Sequence, residues 1–232
     1  MHDTLLDNPF WSSLQSRHRA LALCAGDVMR YPSEYAPFLG VASQDADVEE
    51  ALSELVAEGE TWLLLGVAPK LSNAWSLETF RPLAQMVCDE PLPVIEGPEA
   101  IELDERHRDD VLELVALVYP HYFRERTTEL GRYFGIYRDG RLAAMVGERL
   151  GTSDAREISA VCTHPDYTGR GYARRLIAML TNDHLERGWT PFLHVSQDNM
   201  RARDLYLQMG YRQRREIDFW ALRSASGTVA RS

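Results

Sequence analysis

The chain is almost without lysine: Lys70 is the only one among 25 basic residues. This is a compositional bias toward arginine, and no function follows from it alone. Cysteine is scarce too. Cys24, Cys88 and Cys162 are scattered and odd in number, which excludes a disulfide framework and a CxxC metal site and fits a reducing cytoplasm. No apolar run reaches the roughly 20 residues that span a bilayer. Residues 1–14 lack a basic stretch followed by an apolar one, so neither a signal peptide nor a membrane partner is expected. No HExxH-like spacing is present, so no metal is expected. A positive surface is missing as well. The formal net charge is −10, with no basic stripe interleaved with aromatics, which argues against nucleic acid as a partner.

What remains is a folded chain of 232 residues, 45% hydrophobic and 26% charged, long enough for one large domain or two small ones. Arginines crowd the stretch from Arg170 to Arg215. They are either solvated helix faces or a local field for an anionic ligand on an otherwise acidic protein.

Residues 87–98 hold three prolines and a glycine and resist helix. A domain boundary is therefore placed near residue 98, giving an N-terminal α/β subdomain (1–98) and a second domain (99–232). In the first, Val48, Ala51, Leu52 and Leu55 have helical spacing, Thr61 to Val67 suits a strand, and Leu77 to Val87 reads as a helix. A cap, a partner surface or a degenerate copy of the second half are open roles for it. The second reads more clearly. A short strand (100–103) precedes a helix with Val111, Leu114, Val115 and Val118 on one face. Two strands, 133–137 and 142–150, flank Asp139-Gly140, a hairpin turn signal. A strand follows at 157–163, then a helix closed by Gly188, a strand at 192–195, a helix ending at Gly210 and a last strand at 217–222. This order predicts an α/β (α+β) fold, a mixed sheet flanked by helices.

The informative run is Ile158-Ser-Ala-Val-Cys-Thr-His-Pro-Asp-Tyr-Thr-Gly-Arg-Gly-Tyr-Ala173. A strand leads through a loop into a helix. Gly169 and Gly171 let the backbone turn tightly and approach a ligand. The amides of the first helical turn lack intrahelical partners and suit a pyrophosphate. A Walker loop needs Gly-Lys-Ser/Thr after the second glycine, and a Rossmann fingerprint needs a small residue at Arg174, so both fit poorly.

This run resembles motif A of the GNAT acyltransferases, Gln/Arg-x-x-Gly-x-Gly/Ala. Asn199-Met-Arg-Ala-Arg-Asp-Leu-Tyr-Leu-Gln-Met-Gly-Tyr211 is similar to their motif B, Asn-x-x-Ala-x-x-Leu-Tyr-x-x-x-Gly-Phe/Tyr. The resemblance covers residues 100–222 and runs toward the FR47-like, glycine N-acyltransferase-like branch, where an acidic residue opens the motif A strand as Glu157 does. Asp166 departs from the Gln or Arg of the pattern, but backbone amides carry most of the phosphate grip.

The resemblance implies a GNAT fold and acetyl-CoA, or another acyl-CoA, as co-substrate. Val161, Cys162 and Thr163 would offer backbone groups to the pantetheine and thioester. Tyr167, Thr168, Gly169, Arg170, Gly171, Tyr172 and Ala173, with Arg174 behind them, would hold the pyrophosphate. Asn199 would touch the pantetheine arm, although its residue type also suits a plain helix N-cap. Tyr206 would protonate the departing thiolate, or else is a core aromatic. Cys162 reads as a small core residue rather than a nucleophile. An attacking amine must lose a proton. Glu157 is the first candidate to take it, Glu148 the second and His164 the third, each weighed against a solvated strand end.

The expected activity is transfer of an acyl group to a primary amine of a small molecule or amino acid, by direct attack in a ternary complex. The alternatives are a protein N-terminal or lysine acetyltransferase and a non-catalytic CoA-sensing module. The acceptor pocket is expected to come from residues 119–132 and the N-terminal half. Acceptor identity and oligomeric state are not legible in the sequence.

Overall fold

The computed structural model describes residues 3–118 and 122–225. In chain order its elements are α1 (Pro9–Gln15), β1 (Leu23–Ala25), β2 (Val28–Arg30), β3 (Leu39–Val41), α2 (Glu49–Leu55), β4 (Thr61–Leu65), β5 (Trp75–Thr79) and β6 (Leu83–Val87). Then follow β7 (Ile101–Leu103), α3 (Arg108–Val118), β8 (Tyr133–Arg138), β9 (Arg141–Gly151), β10 (Ala155–Thr163), α4 (Tyr172–Glu186), β11 (Thr190–Ser196), α5 (Met200–Met209), β12 (Arg212–Ile217) and β13 (Phe219–Ser224).

Two compact units form. One comprises residues 1–83, 151–153 and 216–232; the other comprises 84–150 and 154–215. The first unit holds two three-stranded sheets, ordered β1-β2-β3 and β4-β13-β5. Helix α2 buries Ala51, Leu52 and Leu55, as its spacing predicts, in a core with Trp62, Leu64 and Leu222. Residues 77–87 correct the sequence reading. They form β5 and β6 rather than a helix, because Pro82 lacks an N–H and breaks the run between them. The last strand is likewise two. Asp218 separates β12 from β13, and β13 pairs antiparallel with both β4 and β5.

The second unit is built on a seven-stranded sheet ordered β12-β6-β11-β10-β9-β8-β7. Its pairs are of both kinds: β7–β8 and β8–β9 are antiparallel, and β10–β11 is parallel. Strand β6 comes from well before the others in sequence yet lies between β11 and β12. The proline-rich stretch read as a boundary lies inside this unit. Cys88 N–H donates to Pro191 O at 3.1 Å. Asn182 on α4 exchanges two hydrogen bonds with the Leu92 backbone, 2.7 and 2.9 Å. Arg175 donates to the carbonyls of Ile95 and Pro98. The prolines keep the strap extended, and α4 side chains satisfy its backbone.

Apolar alternation divides the sheet's faces. Ile136, Ala144, Ile158, Leu193 and Met86 pack with Leu176, Ile177 and Leu180 of α4. Tyr133, Met145, Ala160 and Cys162 pack with Val111, Leu114 and Val115 of α3. Val118 of the expected apolar stripe is 38% exposed. The hairpin turn has Asp139 at φ 52° and Gly140 at φ 76°, the two left-handed residues a type I′ turn requires. Helix α4 ends as Gly188 predicts, with Trp189 N–H reaching His184 O at 2.9 Å.

Candidate active site

Strand β10 pairs with β11 only from Ala155 to Glu157, opposite Thr190 to Phe192. Beyond that the strands part. Ala160 sits at φ 49° in the middle of β10, a left-handed conformation that costs a non-glycine residue about 1–2 kcal/mol. Such strain persists only where surrounding packing imposes it, and it gathers at functional positions. Val161, Cys162 and Thr163 follow directly along the part of β10 that no longer pairs with β11. Cys162 is 1% exposed, and burial pushes its thiol up to about 12. It is a core residue and no thiolate.

The loop after β10 is held locally. His164 Nδ1 accepts from Asp166 N–H at 3.2 Å and caps a single turn. Thr168 Oγ1 donates to Pro165 O at 3.0 Å. The Tyr167 hydroxyl donates to Asp139 Oδ2 at 3.1 Å and to Arg138 O at 3.2 Å, tying the loop to the hairpin turn. Gly169 and Gly171 adopt φ 77° and 79°. Around both, the space a Cβ would enter is open. They are needed for their backbone conformation rather than for room.

Gly171 caps α4 and brings no side-chain acceptor. Arg175 N–H, bonded to Gly171 O at 3.0 Å, is the first to enter the helical pattern. Among the described residues, the amides of Gly169 to Arg174 find no backbone acceptor. A row of unpaired donors at the positive end of a 15-residue helix is thus open to an anion. Arg170 stacks over the Tyr167 ring at 5.0 Å. The Arg138 guanidinium donates to the Tyr172 hydroxyl at 3.3 Å and, with Arg170, lowers that phenol's pKa. Arg138, Arg170 and Tyr172 line a cavity of about 450 Å³ with Tyr137, Asp139 and Gly140.

Motif B forms α5. Asn199 Oδ1 accepts from Ala202 N–H at 3.1 Å, the N-cap its residue type favours. Tyr206 is 7% exposed and packs beside Tyr211, ring centroids 5.8 Å apart.

The candidate bases differ from the solvated strand ends they were weighed against. Glu157 is 0% exposed. Arg149 donates to both its oxygens at 2.9 Å, Leu150 N–H to Oε2 at 3.2 Å, and His194 Nδ1 lies 2.8 Å from Oε1. Burial pushes this carboxyl up, but Arg149 and then His194 outweigh it and hold it at about 2. A carboxylate so engaged is a weak proton acceptor near neutral pH, which corrects its reading as a base acting alone. Glu148 is also buried, bound by Arg132 at 2.6 Å and His184 at 2.9 Å. With Asp183 and His184 it makes the one constellation among the described residues that could hold a metal. The Arg132 guanidinium already bridges Glu148 and Asp183 there.

Sequence reasoning missed three of these residues: Arg138, Arg149 and His194. Strand alternation could have flagged His194, a polar residue in the buried run Phe192 to Val195.

The FR47-like protein family matches residues 133–221. A GNAT-family protein of Novosphingobium aromaticivorans is 32% identical over 95% of this chain and 98% of its own, with a TM-score of 0.84. The chain belongs to the GNAT superfamily of acetyltransferases, in its FR47-like branch. A GCN5-related N-acetyltransferase of Kribbella flavida shares the fold at 16% identity, covering 95% and 96% of the two chains with a TM-score of 0.64. Comparison with curated proteins gives no match. The open row of amides therefore lies in the motif A loop of a GNAT protein. Of the segment expected to shape the acceptor pocket, residues 119–121 lie outside the described residues; 127–130 form a short 3-10 turn. Among the described residues no helix is long and apolar enough to cross a membrane.

Proposed function

We propose that this GNAT protein is an acyl-CoA-dependent N-acyltransferase, moving an acetyl or similar acyl group to a primary amine of a small molecule or amino acid. The observation that carries this is the run of unpaired amides from Gly169 to Arg174 beside the parted strands β10 and β11. That donor set fits a pyrophosphate: amide N–H groups at a helix start, with the guanidinium groups of Arg170 and Arg174 close in sequence. A bound acyl-CoA supplies a thioester carbonyl and a thiol leaving group. The chain's own residues do the rest. Tyr167 to Arg174 grip the pyrophosphate. The backbone of Val161, Cys162 and Thr163 runs beside the pantetheine and polarises the carbonyl through N–H groups. Asn199 fixes the start of α5 and so the placement of Tyr206. The Tyr206 hydroxyl gives its proton to the leaving sulfur, since phenol and thiol pKa values lie close. Glu157 holds charge and orientation at the closed end of the gap.

The saturated Glu157 carboxylate also favours a second reading, a CoA-sensing module without turnover. Incubation with acetyl-CoA and a pool of amines and amino acids, followed by mass spectrometry and thiol titration, separates the two. The expected result is an N-acetylated product with equal thiol release, abolished by Gly171→Val. Tight CoA binding with no thiol release for any amine establishes the sensor instead.

A further inference from the structure

Glu157 is one member of a polar row that crosses the sheet. Arg149 on β9 bonds Glu157 on β10; Glu157 bonds His194 on β11; His194 Nε2 lies 3.0 Å from Gln85 Nε2 on β6; and Gln85 Oε1 accepts from Arg214 Nη1 on β12 at 2.7 Å. Five adjacent strands each contribute one residue. The alternation that sends Ile158, Leu193 and Met86 toward α4 places Glu157, His194 and Gln85 on the opposite face, which Ala160 and Cys162 share.

The row fixes the histidine's tautomer. Arg214 has only donors, so the Gln85 atom facing it is the carbonyl oxygen. The Gln85 NH₂ therefore faces His194 and donates to Nε2. That nitrogen carries the lone pair, and Nδ1 carries the hydrogen that Glu157 accepts. His194 lies two residues past Phe192, the last β11 residue paired with β10. Its basic nitrogen thus belongs to the first stretch of β11 freed by the parting of the strands. A carboxylate behind one ring nitrogen and an acceptor lone pair on the other is the arrangement of a general base with its orienting group; here Gln85 occupies that lone pair, and the His194 side chain is 2% exposed.

We propose that His194 Nε2 takes the proton from the attacking amine, directly or across one water, with Glu157 as its orienting anion and Gln85 as the donor it exchanges. This rests on the acyl-transfer reading above. As the amine nitrogen bonds to the thioester carbon, its N–H bond breaks and an Nε2–H bond forms. The carbon–sulfur bond breaks, and the Tyr206 proton goes to sulfur. The imidazolium then returns its proton to solvent, and Tyr206 regains one. The Gln85 N–H occupies the place the amine N–H takes over. The charged groups of the row around His194 are Glu157 directly, Arg149 behind it on β9 and Arg214 behind Gln85 on β12; the Tyr133 hydroxyl on β8 lies in the field of Arg149 and Glu157.

The test is the pH profile of kcat/KM, with acetyl-CoA affinity measured separately. His194→Gln is expected to lower kcat about 10²–10⁴-fold, flatten the acid limb and leave acetyl-CoA affinity unchanged. Glu157→Gln should keep an acid limb and shift it to lower pH, since the imidazolium loses its counter-charge. Gln85→Met removes the competing donor and should move the limb to higher pH; it serves as the readout if His194→Gln does not fold. Transfer that persists in His194→Gln, or a Gln85→Met limb that does not move, overturns the assignment of His194 alone. An unsubstituted protein that binds acetyl-CoA and transfers to no amine overturns the parent reading with it.

Discussion

Two buried clusters in this protein share a composition and differ in what they can do. Each sets a glutamate of about 1% side-chain exposure against an arginine and a histidine: Glu157, Arg149 and His194 in one, Glu148, Arg132 and His184 in the other. In the first, each ring nitrogen of His194 has a partner, and the chain continues across the sheet to Arg214. In the second, His184 Nε2 meets Glu148, but Nδ1 is buried without a hydrogen-bond partner among the described residues. Arg132, one-quarter exposed, leads that cluster outward to Asp183 and Arg187. A closed row holds both ring nitrogens of its histidine in fixed roles where two strands part. An open cluster joins β9 to α4 and ends at the surface.

The largest effect that separates them is stability. Arg149→Leu strips the main counter-charge from a fully buried carboxylate and should cost about 3–5 kcal/mol, read from urea unfolding. Arg132→Leu should cost clearly less, because His184 still serves Glu148 and Arg187 still serves Asp183. Equal losses would break the comparison.

Acid tolerance sharpens it next. The Glu157 carboxyl falls from 4.5 to about 2 on folding. Its stabilisation is full above pH 4.5 and is lost as pH drops through about 2. Burial lowers the His184 pKa from 6.5 against the pull of Glu148. Here the unfolded chain takes the proton first, so stability is full above pH 6.5 and declines below it. The Tm should therefore fall as pH drops below 6.5 in the unsubstituted protein, and His184→Gln should flatten that slope. An unchanged slope would show that His184 is not its source.

The smallest effect concerns thiols. Cys24 is exposed, while Cys88 and Cys162 are buried with burial raising both pKa values. Iodoacetamide at pH 8 should add one group per native chain, at Cys24, and Cys162→Ala should keep acyl transfer. Loss of transfer in that variant would return Cys162 to the chemistry.

Much of the fold was legible. Helical spacing marked α2, α3, α4 and α5, and Asp139-Gly140 marked its hairpin turn. The errors have physical causes. Leu77 to Val87 carries enough apolar residues for a helix face, and Pro82 was the overlooked breaker. Asp218 is one polar residue inside a run that otherwise reads as one strand. Ala160 carries a positive φ with no glycine to announce it. The loop was legible because it is local: its donors are backbone groups of consecutive residues.

Neighbouring residues are enough to specify the motif A loop, its left-handed glycines, the ends of α4 and α5, and the membership those features signal. Each depends on residues within a turn or two of one another. Tertiary structure alone decided what Glu157 is. Its row joins residues separated by 8, 37, 109 and 129 positions. They meet because strand order in the sheet is not order along the chain. A carboxylate's basicity is set by the charges and donors around it, and those neighbours arrive only with folding.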